Sequence, residues 1–152
     1  MKEVIYILFI LLCFGCVRHH SNIVFENKNF EAIFSDTSLV NKDHVLFFIR
    51  MKDCISCDLL QEGAFNNKKL LQRMSDKYMC IEQYVDLGEG KFIPYLLYEN
   101  SFPMIVVFSK SGILEALVIG NRTAKELTLM LDKIEAHRGF VTNTRNRFVL
   151  ND

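Results

Sequence analysis

The sequence predicts an α/β fold in which a central mixed sheet of four or five strands is flanked by helices. Three apolar runs of strand length support this prediction, at residues 44–49, 104–108 and 113–119. Segments with apolar side chains at helical spacing follow the first and the last of these runs. Strands and helices that alternate along the chain are typical of α/β domains, in which helices cover the faces of one sheet.

The first strand and the helix after it are the clearest elements of the N-terminal half. Residues 44–49 are apolar almost throughout, as expected for a strand that is buried on both faces. Asp53 is a plausible N-cap for a helix that begins near Cys54. Apolar side chains continue beyond it at roughly helical spacing, but Gly63 and the pair Asn66-Asn67 predict a kink or a break.

The middle of the chain supplies the remaining strands. Residues 79–86 alternate in a way that predicts a second strand, and part of the apolar segment 92–98 is expected to form a short helix. The runs 104–108 and 113–119 are separated by Ser-Lys-Ser-Gly, which predicts a hairpin. The order is therefore strand, helix, strand, short helix and then a pair of strands.

The C-terminal part begins with a helix and ends in a polar tail. Thr123, with Glu126 three residues later, forms a capping box that predicts the start of the last helix. An apolar stripe follows at helical spacing: Leu127, Met130, Leu131 and Ile134. Residues 138–152 are polar without clear periodicity, so we expect a loose or partly docked tail after a domain that spans residues 26–137.

The N-terminus has the features of an export signal. A lysine precedes an unbroken apolar run over residues 4–14, which is shorter than the roughly 20 residues that cross a bilayer but has the length of a signal-peptide core. Gly15-Cys16 ends this run and resembles the box of bacterial lipoproteins, in which the cysteine becomes the lipidated first residue. We therefore expect a lipoprotein signal peptide over 1–15, lipidation of Cys16 and a tether over 16–25.

Lipidation of Cys16 would attach the protein to a bacterial membrane, facing the periplasm. Val17 follows this cysteine, and the rule for lipoproteins without an acidic residue at that position favours the outer membrane. A plain signal peptide or a short anchor remains the alternative, with Cys13 and Cys16 as apolar filler. Beyond the lipidation site three cysteines remain, an odd number that suits one working pair and one spare thiol.

The composition argues against nucleic acid as a partner. The 152 residues carry 18 Lys and Arg against 18 Asp and Glu, so the net charge is zero and no basic surface is indicated. The phenylalanines fit a core or a substrate groove, and no cofactor is expected. A zinc site needs four ligands, and only Cys80 and scattered histidines could join a cysteine pair, so no metal is expected either.

The segment Cys54-Ile55-Ser56-Cys57 is the motif that points to function. Two cysteines at this spacing can form a disulfide across one helical turn. At a helix N-terminus, the unpaired N–H groups and the helix dipole stabilise a thiolate, which is the species that attacks a disulfide. Arg50 and Lys52 would lower the pKa of the thiol. Asp53 and Asp58 would raise it, and the sequence leaves this balance open.

Together with the order of elements, this motif resembles the thioredoxin fold over residues 26–137. The likeness extends to the thioredoxin-like domains of periplasmic thiol reductases, including the C-terminal domain of the transmembrane electron carrier of that system. The matching stretches are residues 52–57, 65–78, 85–86 and 102–108, closed by Gly112 and Gly120.

The resemblance implies roles for particular residues. Cys54 would attack a substrate disulfide, and Cys57 would resolve the mixed disulfide. Phe102-Pro103 would supply a cis-proline beside the cysteines, and the backbone of Phe102 would pair with an extended substrate chain. The implied function is a membrane-tethered thiol–disulfide oxidoreductase, with a reductase favoured. It would act on the disulfides of exported proteins and receive electrons from an upstream membrane thiol donor.

The sequence departs from the family pattern at two positions, and it is also compatible with a different function. No tryptophan precedes the first cysteine, where Asp53 stands instead. The buried acid that thioredoxin carries near the position of Phe48 is also missing, so Cys57 would rely on water or on Glu62 to take up its proton. The alternative is a non-catalytic binding or scaffold module in which Cys54 and Cys57 form a structural disulfide.

Overall fold

The computed structural model describes residues 33, 41–86, 91–97, 99–137, 140–144 and 147–151. The predicted signal peptide over 1–15, the lipidation site Cys16 and the tether over 16–25 lie outside the described residues. Across the described part of the chain, no helix is both long enough and apolar enough to cross a membrane.

A six-stranded mixed sheet forms the centre of the described structure. Its strands are β1 (His44–Arg50), β2 (Tyr78–Tyr84), β3 (Met104–Ser109), β4 (Leu114–Ile119), β5 (Phe140–Thr144) and β6 (Arg147–Asn151). Their order across the sheet is β2-β1-β3-β4-β5-β6, with β1 parallel to β2 and antiparallel to β3, and β4 antiparallel to β3. Because β1 has a neighbour on each side and helices above and below, all seven of its residues are buried.

The C-terminal residues correct the prediction of a loose or partly docked tail over 138–152. Within this segment β5 pairs parallel with β4, and β6 returns antiparallel to β5. Without β5, β4 would present an edge of unpaired N–H and C=O groups, which readily accepts another strand. Each added strand has only five residues, and these mix polar and apolar types without clear alternation, so the sequence pattern does not predict a strand. The mixed sheet is as predicted, with one strand beyond the predicted upper number.

Four helices with described bounds flank the sheet: α1 (Ile55–Glu62), α2 (Lys68–Lys77), α3 (Phe92–Leu97) and α4 (Ala124–Glu135). The predicted break between α1 and α2 is confirmed as a 3₁₀ turn over Ala64–Asn66. Gly63 ends α1 at a point where a Cβ atom would lie 2.8 Å from the Leu59 carbonyl oxygen. The Asn67 side chain then caps α2, and the predicted capping box opens α4.

The helices create a separate core on each face of the sheet. On one face α1, α2 and α4 bury Leu60, Met74, Leu127 and Leu131 against the sheet. The opposite core contains Ile93 from α3 together with the helical residue Ile33. Cys57 belongs to the first core, so the N-terminal turn of α1 is fixed against the sheet at the point where β1 ends.

Candidate redox site

The loop between β1 and α1 carries the chain from the central strand to the cysteine motif. The Lys52 N–H donates to both carboxylate oxygens of Asp86, at 3.2 and 3.3 Å, which ties this loop to the residues after β2. Asp53 has a φ of 55°, in the left-handed region that aspartate tolerates better than most residues. The predicted N-cap at Asp53 is wrong, because Asp53 turns the chain and Cys54 caps the helix.

Cys54 and Cys57 form a disulfide, and their environments differ. Their Cα atoms are 5.2 Å apart. As the N-cap of α1, Cys54 accepts the Cys57 N–H on its Sγ at 3.2 Å, and its carbonyl accepts from Cys57 and Asp58. Cys54 is partly exposed, whereas Cys57 is fully buried. The Cys54 sulfur therefore lies at the positive end of the helix, in a residue that keeps part of its surface exposed.

Phe102 and Pro103 lie at the same end of the sheet as the cysteine motif. Met104, the first residue of β3, pairs with Ile49, so the two residues before it come beside the chain that leaves β1. The peptide bond between Phe102 and Pro103 is cis. The Pro103 carbonyl accepts from the Gly120 N–H at 2.7 Å. Among the described residues, no hydrogen bond engages the backbone of Phe102, the residue expected to pair with substrate.

Comparison with known proteins gives structural neighbours only. No family model matches the sequence, and no curated protein matches it. A proposed disulphide-isomerase from Bacteroides thetaiotaomicron gives a TM-score of 0.66 at 16% identity, over 77% of this chain and 96% of that chain. The C-terminal domain of Neisseria meningitidis DsbD, in its oxidised form, gives a TM-score of 0.56 at 17% identity, over 70% and 97% of the two chains.

A thioredoxin is also among the similar structures. Chloroplastic thioredoxin z gives a TM-score of 0.54 at 18% identity, over 74% of this chain and 95% of that chain. The protein has a thioredoxin-like fold. This confirms the fold class and the resemblance to periplasmic thiol reductase domains that the sequence predicted.

The thioredoxin-like sheet of this protein lacks an acid on β1 beneath the cysteine pair. Phe48 fills that place, fully buried, with its ring edge-on to Phe65 at 5.2 Å between centroids. Its partner in the parallel ladder is Glu82 of β2, so an acid lies on the neighbouring strand instead. Glu62 is exposed at the end of α1, five positions after the buried Cys57, and the two side chains leave different sides of the helix.

An ion cluster around the buried Arg50 side chain lies next to the motif. The guanidinium of Arg50, the last residue of β1, donates to Gln61 Oε1 at 2.6 Å and to Glu82 Oε1 at 3.2 Å, and it pairs with the Asp58 carboxylate. Sequence reasoning weighed Arg50 and Asp58 but missed Gln61 and Glu82. Only the parallel pairing of β2 with β1 brings Glu82 to this point. The sequence did carry one signal for this cluster: Arg50 is a charged residue at the end of a buried apolar strand, where it needs partners of opposite charge.

Three exposed apolar side chains lie close to Cys54 along the chain. Met51, Ile55 and Leu59 have exposed fractions of 41%, 77% and 53%. Ile55 and Leu59 are four positions apart in α1, so they form one stripe that leads away from Cys54. We call these three residues the apolar surface of the site.

The third cysteine of the domain has a different character. Cys80 lies on β2, 6% exposed, and burial raises the pKa of its thiol to about 12. Such a thiol behaves as a small apolar core residue and carries almost no thiolate at neutral pH. No three His, Cys, Asp or Glu residues in the described ranges come together to hold a metal ion.

Proposed function

We propose that the protein is a membrane-tethered thiol–disulfide oxidoreductase that acts on exported proteins through Cys54 and Cys57. The observation that carries this proposal is the position of the Cys54 sulfur as the N-cap acceptor of α1, 3.2 Å from the Cys57 N–H. In the reduced pair the same N–H and the helix dipole favour the Cys54 thiolate. Partial exposure leaves that thiolate open to attack a substrate, while burial protects Cys57.

The reaction proceeds by two exchanges of sulfur–sulfur bonds. The Cys54 thiolate attacks one sulfur of a substrate disulfide, forms a mixed disulfide and releases the other substrate sulfur as a thiolate. Cys57 then loses its proton, and its sulfur attacks Cys54, which releases the second substrate thiolate and closes the Cys54–Cys57 disulfide. Two electrons pass from the cysteine pair to the substrate, and the released thiolates take up protons from water.

Catalytic turnover requires a source of electrons. In the reductase direction, an upstream membrane dithiol gives two electrons to the Cys54–Cys57 disulfide by the same exchange steps and becomes a disulfide itself. The lipid anchor at Cys16 holds the domain at the bacterial membrane, with the outer membrane favoured. This arrangement keeps the domain beside exported clients and their disulfides.

Substrate contact falls on groups around the sulfur. The backbone of Phe102, before the cis bond to Pro103, is available to pair with an extended substrate segment. Ile55, with an exposed fraction of 77%, adds apolar contact on the other side of the cysteine pair. A client that presents its disulfide in a partly unfolded, apolar segment fits this surface best.

Insulin reduction tests the proposed chemistry. With dithiothreitol as electron source, the protein is expected to accelerate precipitation of the insulin B chain, and Cys54→Ser is expected to abolish the acceleration. Cys57→Ser should trap mixed disulfides with clients, because the resolving sulfur is gone. Cys80→Ser is the matched control and should keep the activity. If the wild type shows no activity and Cys57→Ser traps no client, the pair is structural and the protein is a binding or scaffold module.

Fractionation tests the tether separately. The wild-type chain, expressed in a bacterium, should appear in the membrane fraction and incorporate labelled fatty acid, and Cys16→Ser should do neither. If the wild type incorporates no label, or Cys16→Ser retains it, the lipidation proposal is wrong, whereas the chemistry of Cys54 and Cys57 is judged by the insulin assay alone.

A further inference from the structure

The Arg50 side chain is the most enclosed charged group near the redox pair. Its side chain is 9% exposed, and its Cζ lies 5.6 Å from the centroid of the Phe48 ring and 5.3 Å from that of Tyr84. Rings at this distance hold a guanidinium by cation–π attraction. Its Nε is buried and has no hydrogen-bond partner among the described residues. The group is therefore held mainly by what its two terminal nitrogens bind.

Those nitrogens bind the helix that carries the cysteines. Asp58 is four positions after Cys54, and Gln61 is four positions after Cys57. Residues four apart on a helix are surface neighbours, with Cβ atoms about 5–6 Å apart. The guanidinium therefore binds the two side chains that follow Cys54 and Cys57 by roughly one helical turn.

The charged groups around this guanidinium have opposite effects on a thiolate at Cys54. Asp58 lies in the first turn of α1, where its carboxylate opposes a second negative charge on Cys54. Glu82 approaches from β2 and binds the same guanidinium. The positive charge of the buried Arg50 compensates both carboxylates. Four charged residues of the neighbouring loops and of α1 are exposed and screened by water: Lys52, Asp53, Glu62 and Asp86. Arg122, after β4 at the same end of the sheet, is partly exposed and donates to the Ile119 carbonyl.

We infer that Arg50 is a positioning residue of the redox pair, which holds Asp58 and Glu82 in a compensated cluster and so lets the Cys54 sulfur carry negative charge. This inference rests on the proposed function. The cluster joins the end of β1 to the helix α1 and to the neighbouring strand β2. Of the four charged residues whose balance the sequence left open, Arg50 and Asp58 are bound to each other and so compensate each other.

Two substitutions should move the Cys54 thiol in opposite directions. Arg50→Gln removes the cation, so the thiolate loses support and the pKa of Cys54 rises. Asp58→Asn removes an anion one turn away, so the pKa of Cys54 falls. At a separation of about 6 Å and an effective dielectric constant of about 40, removal of the Asp58 charge should alter the thiolate-to-thiol ratio by about tenfold, and Arg50→Gln should act in the opposite direction. The first variant should then be a stronger reductant than the wild type and the second a weaker one.

Matched substitutions at the other end of the sheet control for loss of an ion pair as such. Arg73 donates to Asp132 at 2.7 Å and to Glu135 at 2.9 Å, so it too is a guanidinium between two carboxylates. The Asp132 side chain is 56% exposed, close to the 55% of Asp58. Arg73→Gln and Asp132→Asn should lower stability in a similar way and leave Cys54 unchanged.

The experiment measures the reduced full-length chain and its four variants. The rate of Cys54 alkylation by iodoacetamide is followed against pH, with the modified peptide resolved by mass spectrometry. The equilibrium with glutathione gives the reduction potential, in which a tenfold change in the equilibrium constant is about 30 mV. Opposite shifts in Arg50→Gln and Asp58→Asn, with none in the two controls, support the inference.

Other outcomes overturn it in distinguishable ways. Shifts of the same sign in Arg50→Gln and Asp58→Asn, no shift, or equal shifts in the controls mean that the cluster acts only on stability. If Arg50→Gln does not fold, Asp58→Asn decides alone, because its side chain is more than half exposed. If Cys54 of the wild type titrates like free cysteine, the proposed function fails as well. If Cys54 of the wild type is reactive but the Arg50 and Asp58 variants show no shift, only the inferred role of Arg50 is wrong.

Discussion

Asp53 offers a direct test of the backbone geometry that delivers Cys54 to the helix N-terminus. Its φ of 55° lies in the left-handed region, and its side chain is exposed, so a substitution changes backbone preference with little change in packing. A β-branched residue is a genuine outlier in this region, and the left-handed conformation costs L-residues about 1–2 kcal/mol. Asp53→Val should therefore lower the free energy of unfolding by about 1–2 kcal/mol.

Asp53→Asn is the matched control, because asparagine has nearly the same shape and also tolerates a positive φ. Urea unfolding of the oxidised proteins, followed by circular dichroism, should place Asp53→Asn within about 0.5 kcal/mol of the wild type. The slope of the transition should be unchanged in both variants, since the surface exposed on unfolding is the same. A valine variant as stable as the asparagine variant would refute the left-handed turn before Cys54.

Three further predictions concern the core, the last helix and the third cysteine. Leu60→Ala should cost about 2–5 kcal/mol in urea unfolding, because Leu60 is fully buried behind the motif. Hydrogen bonds from the backbone and hydroxyl of Thr123 lower the pKa of Glu126, so its stabilising contribution is complete above about pH 4.3 and is lost as the pH falls through the lowered value. Thr123→Ala should cost about 1 kcal/mol near neutral pH and reduce that acid dependence. Cys80 should resist iodoacetamide at neutral pH until urea is added, because burial raises its pKa to about 12.

Local patterns predicted most of the fold because each of them has a local physical cause. The apolar run at residues 44–49 reflects a strand with neighbours on both sides and helices on both faces. Gly63 is required by the close approach of the Leu59 carbonyl, and the Thr123 capping box satisfies N–H groups within its own first turn. These features need no information from distant parts of the chain.

The features that sequence reasoning missed depend on distant residues or on a local competition. Glu82 reaches the Arg50 guanidinium only because β2 pairs with β1 in one particular register. The strands β5 and β6 form because β4 offers an edge, which their own short sequences do not announce. Asp53 and Cys54 could each serve as the N-cap of α1. Because Asp53 adopts the left-handed turn, Cys54 takes the N-cap position and its sulfur accepts the hydrogen bond.

The proposed chemistry depends on the position of the Cys54 sulfur at the N-terminus of α1. The most direct measurement is the pH dependence of iodoacetamide alkylation at Cys54 in the reduced wild-type protein. We predict a midpoint at least one pH unit below the value of about 8.5 for free cysteine, because the helix N-terminus stabilises the thiolate. A midpoint at or above about 8.5 would contradict the account, since the sulfur would then gain nothing from its place at the helix.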